Sequence, residues 1–357
     1  MKVNVGIDMG SRYTVVACFR EDCGKVEILK NSAGKERTPS VIHIENGKIS
    51  IGDEADKKRL SDDINAIGLG KSWLGDPDYT AYLDKGEFTL EDLFAKFLAE
   101  LVKDIEKSNH VQIEGVALTI PVWFGSRQHT AILHAAQMAG LKLLSVFNES
   151  KAAIIGAGLS DGADKTVLVY DLGDTFDVSI ARVHEGEVLL LAANGDHALG
   201  GYDWELDIRN YVCDKFEEDH GICLWDHPDA LQAMRLQCLQ AKLRLTQESV
   251  ATVTVQCDGI TEEYVITREW LEEITGAHCD RTLALTEECF RGMDEAMDWS
   301  DIDEVLPVGG ATRMPQIKDM ILRAYGKPPV ETEIAADDLV AAGAARVAAI
   351  RANEKNA

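Results

Sequence analysis

Two distant stretches of this chain spell the same local device. Val3–Ile7 reads as an apolar strand that runs into Asp8-Met9-Gly10-Ser11, and the chain returns as a second strand over Tyr13–Phe19. Val167–Tyr170 runs into Asp171-Leu172-Gly173-Asp174-Thr175 and returns over Phe176–Ala181. A strand–D-x-G–turn–strand unit repeated on a long period predicts a molecule of two related halves, with the two turns facing one another. A third buried strand, Val305–Val308, ends in Gly309-Gly310-Ala311-Thr312-Arg313, which is expected at the floor between them.

The chemistry of such turns is specific. A glycine lets backbone N–H groups approach a phosphate, and an aspartate at a strand end holds a hydrated Mg2+. One D-x-G turn is an ordinary hairpin. Two in matching contexts, together with the Gly-Gly turn, point to a phosphate-bearing ligand bound with a divalent metal.

The remaining elements fit an α/β chain. From Gly24 to Gly86 the sequence is polar and turn-rich around one apolar strand, Val41–Ile44. Thr89 caps a helix whose Leu90, Leu93, Phe94, Phe97, Leu98, Leu101 and Ile105 keep helical spacing, with Glu91 and Asp92 in its first turn. A buried strand over Val116–Ile120 ends at Pro121, and a helix over Ser126–Ala139 stops at Gly140. Leu143–Phe147 is a further strand, followed by a short helix from Ser150. Strands alternating with helices predict a parallel or mixed sheet covered on both faces. Asp203 to about Ala277 reads as a helical, polar insertion with a hairpin at Val250–Gln256 and Glu263–Thr267, and an Ala-rich helix closes the chain over about Ala336–Ala349.

Composition excludes several classes. A formal charge of -25 repels phosphate backbones, so no nucleic-acid partner is expected, and any polyphosphate needs metal, amides or placed cations. No apolar run approaches the ~20 residues of a membrane helix, and the N-terminus enters a strand directly, so neither membrane nor signal peptide is expected. The eight cysteines contain no C-x-x-C, which favours reduced thiols in the cytoplasm over a zinc site or a disulfide framework.

The motifs, in order, resemble the actin-like ATPases. Val5-Gly6-Ile7-Asp8-Met9-Gly10-Ser11, Asn148-Glu149-Ser150, Asp171 to Asp177, Gly195-Asp196 with Leu199-Gly200-Gly201, and Val308 to Arg313 are spelled most like the heat-shock protein 70 family, the DnaK-type chaperones. The resemblance runs from Val3 to about Ile350 and matches that family's ATPase domain alone. It implies two lobes, each with a ribonuclease H-like mixed sheet, and a nucleotide cleft between them. Lobe I is expected over 1–164 with a small polar subdomain at about 34–88. Lobe II is expected over 165–334 with an inserted subdomain at about 203–279, and 335–357 as a helix returning to lobe I.

The resemblance also implies roles. Asp8 and Asp171 would hold the water shell of Mg2+, with K+ a further candidate ion. Ser11 and Thr175 would contact the outer phosphates of ATP or ADP, within turns that include Gly10, Arg12 and Tyr13 on one side and Gly173 and Asp174 on the other. Lys71 would reach the γ-phosphate, and Glu149 and Asp177 would orient or deprotonate the attacking water. Gly200, Gly201, Gly309, Gly310, Ala311 and Arg313 would line the nucleotide channel, Lys242 and Thr246 would flank the purine, and Asp337 would lie on the ribose side. J-domain co-chaperones and nucleotide-exchange factors are the implied partners.

Bland readings stand beside these. Lys71 in a polar loop could be a solvated charge, Glu149 a helix N-terminal carboxylate, and Asp177 a strand-face residue. Asn65 to Ser72 nearly spells a P-loop, but no buried strand precedes it.

The chain also departs from the pattern. The second turn is one residue shorter than the family's, with Asp174 in place of a glycine, and Arg12 replaces a hydroxyl residue in the first. Leu243 and Leu239 stand where an arginine would stack on the purine and a glutamate would bind the ribose. His129 replaces a coupling arginine, although Pro121 is kept, and Ser150-Lys151 replaces a Pro-Thr pair. The sequence is expected to end with the helix that closes the ATPase domain, ahead of any leucine-rich linker or β-rich peptide-binding domain. The expected function is a slow ATPase switching lobe closure. A nucleotide sensor or scaffold with negligible hydrolysis is the alternative, and a small-molecule kinase a remote one. Arg12 and Asp174 are expected to offset one another's charge.

Overall fold

The computed structural model describes residues 1–61, 63–293 and 297–354. In chain order the strands are β1 (Lys2–Met9), β2 (Tyr13–Arg20), β3 (Lys25–Ile28), β4 (Arg37–Pro39), β5 (Val41–Glu45), β6 (Lys48–Ile51), β7 (Ala66–Gly68), β8 (Ala81–Leu83), β9 (Gly86–Phe88), β10 (Gln112–Ile120), β11 (Leu143–Asn148), β12 (Lys165–Leu172), β13 (Phe176–His184), β14 (Glu187–Asp196), β15 (Val250–Cys257), β16 (Ile260–Thr267) and β17 (Glu304–Val308). The helices are α1 (Gly52–Leu60), α2 (Leu90–Asn109), α3 (Ser126–Met138), α4 (Glu149–Gly156), α5 (Gly201–His220), α6 (Pro228–Leu245), α7 (Arg268–Ile274), α8 (Gly276–Arg291), α9 (Pro315–Tyr325) and α10 (Leu339–Glu354). The chain forms two compact units, one of residues 1–169, 179–193 and 331 onward, the other of 170–178 and 194–330.

The first unit is organised by a mixed sheet in the order β11-β10-β1-β2-β3, with β4 also pairing β2. β1 runs parallel to β10 and antiparallel to β2, as a central strand followed by a tight return must. Val5, Ile7, Ala17, Ala117 and Leu118 are fully buried, so the sheet is covered on both faces. One cover is α2. Thr89 caps it, accepting from the Asp92 N–H while the Asp92 carboxylate accepts from the Thr89 N–H. All seven apolar residues read from its spacing are buried. The other cover is α10, whose close approach rests on missing side chains. A Cβ on Gly343 would lie 1.8 Å from the Ala152 carbonyl oxygen of α4, and one on Gly6 would lie 2.2 Å from the Ala345 nitrogen. Small residues let this helix sit on the sheet at backbone distance.

The segment from Gly24 to Gly86, read as polar and turn-rich, holds much more regular structure than that. It contains the sheet β6-β5-β7, the hairpin β8-β9 and α1. The strands have three to five residues, too short for an alternating pattern to register. α1 buries only Gly52 and Ala55 and is otherwise largely charged, so no apolar stripe marks it.

β12, β13, β14 and β17 form a four-stranded sheet in the order β14-β13-β12-β17. In the second unit α5 and α6 bury Trp204, Ile208, Val212, Phe216, Met234, Cys238 and Leu245, and the hairpin β15-β16 adds Ala251, Val253 and Val255. β14 and α9 were not anticipated, and α10 starts at Leu339 rather than Ala336. The shift has a local cause. Asp337 and Asp338 lie before the helix and face Arg37, at 3.6 and 2.7 Å.

Candidate functional site

In the first unit, β1 delivers Asp8 to the edge of the core at the point where the chain turns. The half-buried Asp8 carboxylate accepts a hydrogen bond from the Thr119 hydroxyl of β10 at 3.2 Å. Close by, the Lys71 ammonium donates to Glu149 Oε1 at 2.7 Å. Both side chains of this pair are nearly sequestered, 10% and 14% exposed. Glu149 is the first residue of α4, where the helix N-terminus favours a carboxylate. Lys71 opens a 3-10 turn anchored by Leu69 and Leu74, each 1% exposed. No α-helix follows Lys71, which removes the P-loop reading, and its burial removes the solvated one.

The charges converge on Asp8. Its pKa is raised to about 7, first by burial and then by the Glu149 and Asp338 carboxylates, against the opposing pull of Lys71 and the Thr119 bond. Three carboxylates and one ammonium therefore act on a single poorly solvated place. Such a site holds excess negative charge and offers hard oxygen donors, the chemistry a divalent cation needs. Asp8 fits the metal role on this ground.

The turn after Asp8 is braced by side chains. Ser40 donates to the Gly10 carbonyl at 2.8 Å, and its oxygen lies 3.0 Å from the Thr14 hydroxyl. Ser11 is exposed, and the Arg12 guanidinium lies 5.6 Å from the centre of the Tyr13 ring. Asp337 belongs to this unit through Arg37.

In the second unit the glycine turn is braced by backbone. The Gly173 N–H donates to the Thr175 carbonyl at 3.0 Å, and the Gly201 N–H donates to the Gly173 carbonyl at 2.7 Å. A Cβ on Gly200 would lie 2.0 Å from the Asp174 carbonyl oxygen. Gly309 has φ +82, and a Cβ there would lie 2.5 Å from the Leu172 carbonyl oxygen. Three chain segments thus meet at distances only glycine permits. α5 starts from this place, its first turn closed by the Asp203 carboxylate accepting from the Gly200 N–H at 2.7 Å.

Asp171 ends the buried strand beside the turn and is half-buried. The Thr175 hydroxyl donates to Asp177 Oδ2 at 3.4 Å. Lys242 is buried and donates to the Gly201 carbonyl at 2.5 Å, which ties α6 to the turn. Gly310, Ala311 and Arg313 form a 3-10 turn closed by Thr312 donating to the Gly309 carbonyl at 2.6 Å, with Arg313 exposed. Thr246 donates to the Leu243 carbonyl one turn back, and Leu243 is 44% exposed.

Four contributors escaped the sequence reading: Thr119, Ser40, Arg37 and Asp203. Thr119 had a signal, a hydroxyl inside the buried run Val116–Ile120. Ser40 and Arg37 lie in the short-stranded segment whose pairing no local pattern reveals. Asp203 sits three residues after the cap it closes, a helix-start signature that the adjacent glycines concealed.

The family model described as Hsp70 protein matches residues 4–78 and 75–357 of this chain. The chaperone protein DnaK of Halobacterium salinarum is 34% identical over 348 residues, covering 96% of this chain and 54% of that protein. The DnaK proteins of Thermosipho melanesiensis and Thermotoga neapolitana are 33% and 34% identical, each covering 99% of this chain and 60% of the relative. The chain thus spans little more than half the length of the curated relatives it matches.

Proposed function

Because this chain belongs to the Hsp70 protein family and has the actin-like ATPase fold, we propose that it is a Mg-ATP-binding, slowly hydrolysing ATPase module of a chaperone-like protein. The observation that carries the reading is the buried Lys71–Glu149 pair beside Asp8. An ammonium and two carboxylates held this close in a dry place are costly in the absence of a ligand, and functional sites concentrate such groups. A metal-bound polyphosphate accounts for all three: Asp8 faces the cation, Lys71 the terminal phosphate, and Glu149 the attacking water.

In this reading Mg2+, with K+ as a further candidate, supplies charge neutralisation for the polyphosphate. Asp8 and Asp171 are the residues that would hold the metal's waters. Glycines 173, 200, 201 and 309 let the backbone approach the phosphates closely, and Ser11 and Thr175 add hydroxyl donors. Asp177 is proposed to share with Glu149 the orientation and deprotonation of water. Phosphoryl transfer asks mainly for positioning and electrostatic stabilisation, which these groups supply without covalent chemistry. Lys242 and Thr246 are assigned to the purine, Asp337 to the ribose side, and Gly310, Ala311 and Arg313 to the channel. Nucleotide state is proposed to switch the closure of two lobes, and J-domain co-chaperones and nucleotide-exchange factors are the proposed partners, in the cytoplasm.

One observation favours a second reading, a nucleotide sensor with negligible hydrolysis. Asp174 places a carboxylate in the phosphate turn, and Leu239 and Leu243 leave α6 apolar where polar nucleoside partners would stand. Phosphate release from Mg-ATP under single-turnover conditions, measured beside a binding isotherm, separates the two. Release that depends on Lys71 supports the ATPase. Binding without release supports the sensor, and no binding overturns both.

A further inference from the structure

The second unit carries a group of potential metal ligands away from its glycine turn. His227 precedes α6, in the short link that joins it to a 3-10 turn over Leu224–Asp226. Cys257 ends β15, and Asp258 begins the tight turn to β16 with φ 48. Among the described residues, one ligand atom from each of these three lies within 4.8 Å of the other two. His227 Nδ1 and Asp258 Oδ1 are 3.7 Å apart, too long for a hydrogen bond between them.

We propose that His227, Cys257 and Asp258 form a zinc-binding site that clips the β15–β16 hairpin to the start of α6. A nitrogen, a sulfur and an oxygen donor make a set suited to Zn2+, with a water as fourth ligand. Bonds of roughly 2.0–2.3 Å in a tetrahedron leave ligand atoms about 3.3–3.6 Å apart. The His227–Asp258 separation already approaches that value, and the longest separation closes by about 1 Å. The turn makes this possible. Residues 257 and 258 are neighbours, and the left-handed backbone at Asp258 breaks the strand alternation that would send their side chains to opposite faces. The positive end of the α6 dipole opposes a cation, and the thiolate and the carboxylate together outweigh it. Cys257 is 6% exposed while the Asp258 side chain is 60% exposed, so the sulfur is shielded and an entry path stays open. This site is independent of the nucleotide reading.

Cobalt(II) is the probe, because a tetrahedral cobalt–thiolate centre absorbs visibly and Zn2+ bleaches it by displacement. The full chain, metal-free and reduced, is expected to take up one Co2+ with a thiolate charge-transfer band. Cys257→Ser should abolish the band, with the seven other cysteines present as an internal control. Asp258→Asn and His227→Asn should each weaken Zn2+ binding by about tenfold or more, measured by Co2+ competition. A band that survives Cys257→Ser, or no Zn2+ uptake by the reduced wild-type chain, overturns the proposal. If Cys257→Ser does not fold by circular dichroism, the surface variants decide, and wild-type affinity in both of them also overturns it.

Discussion

The two copies of the D-x-G turn share a spelling and are held by opposite means. The first, from Asp8 to Tyr13, is supported by side chains: Thr119 on the aspartate, Ser40 on the Gly10 carbonyl, and the Lys71–Glu149 pair alongside. The second, from Asp171 to Phe176, is supported by backbone. Gly200 and Gly309 bring main-chain atoms to distances at which no Cβ fits, and the Gly173 and Gly201 N–H groups donate to neighbouring carbonyls. A turn held mainly by side-chain bonds should be the more sensitive to loss of those groups, and one held mainly by close backbone approach with a positive φ the more sensitive to an added Cβ. One motif thus has, in this chain, two physically different supports.

The largest effect should come from crowding the second turn. Gly309→Ala meets an unfavourable positive φ and an overlap with the Leu172 carbonyl at once. A loss of about 3 kcal/mol or more is expected, read as a lowered denaturation midpoint. Gly10→Ala tests the comparison, because its Cβ would meet the Tyr13 carbonyl oxygen at 2.5 Å without a positive φ. Its loss should be the smaller of the two, and equal losses would erase the distinction.

Charge changes at the first turn come next. Lys71→Ala and Glu149→Gln should each slow single-turnover hydrolysis by about a hundredfold while Mg-ATP binding is largely kept. Parental rates in either variant would remove that residue from the mechanism.

Asp8 offers a pH test in the nucleotide-free chain with chelator present. Its folded pKa, raised to about 7, lies above the ordinary carboxylate value. Its contribution to stability is therefore full below about pH 4 and is lost as pH rises through about 7. Asp8→Asn should flatten that part of the stability–pH curve and abolish Mg-dependent nucleotide binding. A curve unchanged by the substitution would mean that the carboxylate is solvated.

A further test joins the two turns. Removing Arg12 should weaken Mg-ATP binding by about tenfold, and removing Asp174 should be neutral or favourable. The double variant should recover part of the loss, whereas additive effects would show that the charges act separately. The smallest effect is expected at Ser40→Ala, about 1 kcal/mol of stability from the lost bond to the Gly10 carbonyl, checked by denaturant titration.

Much of this was legible in the chain itself. The duplicated motif, the capped helix from Thr89 and the buried strand ending at Pro121 are local patterns, and local patterns survive translation into sequence. So does membership of the Hsp70 family, because its motifs are short and ordered. Apart from β5, read as Val41–Ile44, the β strands and α1 between Gly24 and Gly86 were not legible, since strands of three or four residues gain their pairing from neighbours rather than from periodicity.

The sequence by itself determined which residues stand ready: an aspartate and a glycine at each turn, Lys71, Glu149, and glycines at 200, 201 and 309. Only the tertiary structure decided what they do to one another. Lys71 and Glu149 are far apart in the chain, and their 2.7 Å pairing beside Asp8 exists because β1, the 3-10 turn that opens at Lys71 and α4 bring three segments to one dry place. Burial there lifts the Asp8 pKa, a property of packing that no residue carries alone. The glycines likewise become necessary only where Leu172, Gly173 and Asp174 pass within van der Waals distance of them. Residue type sets which interactions are available, and desolvation and close approach, which depend on the whole fold, decide which of them matter.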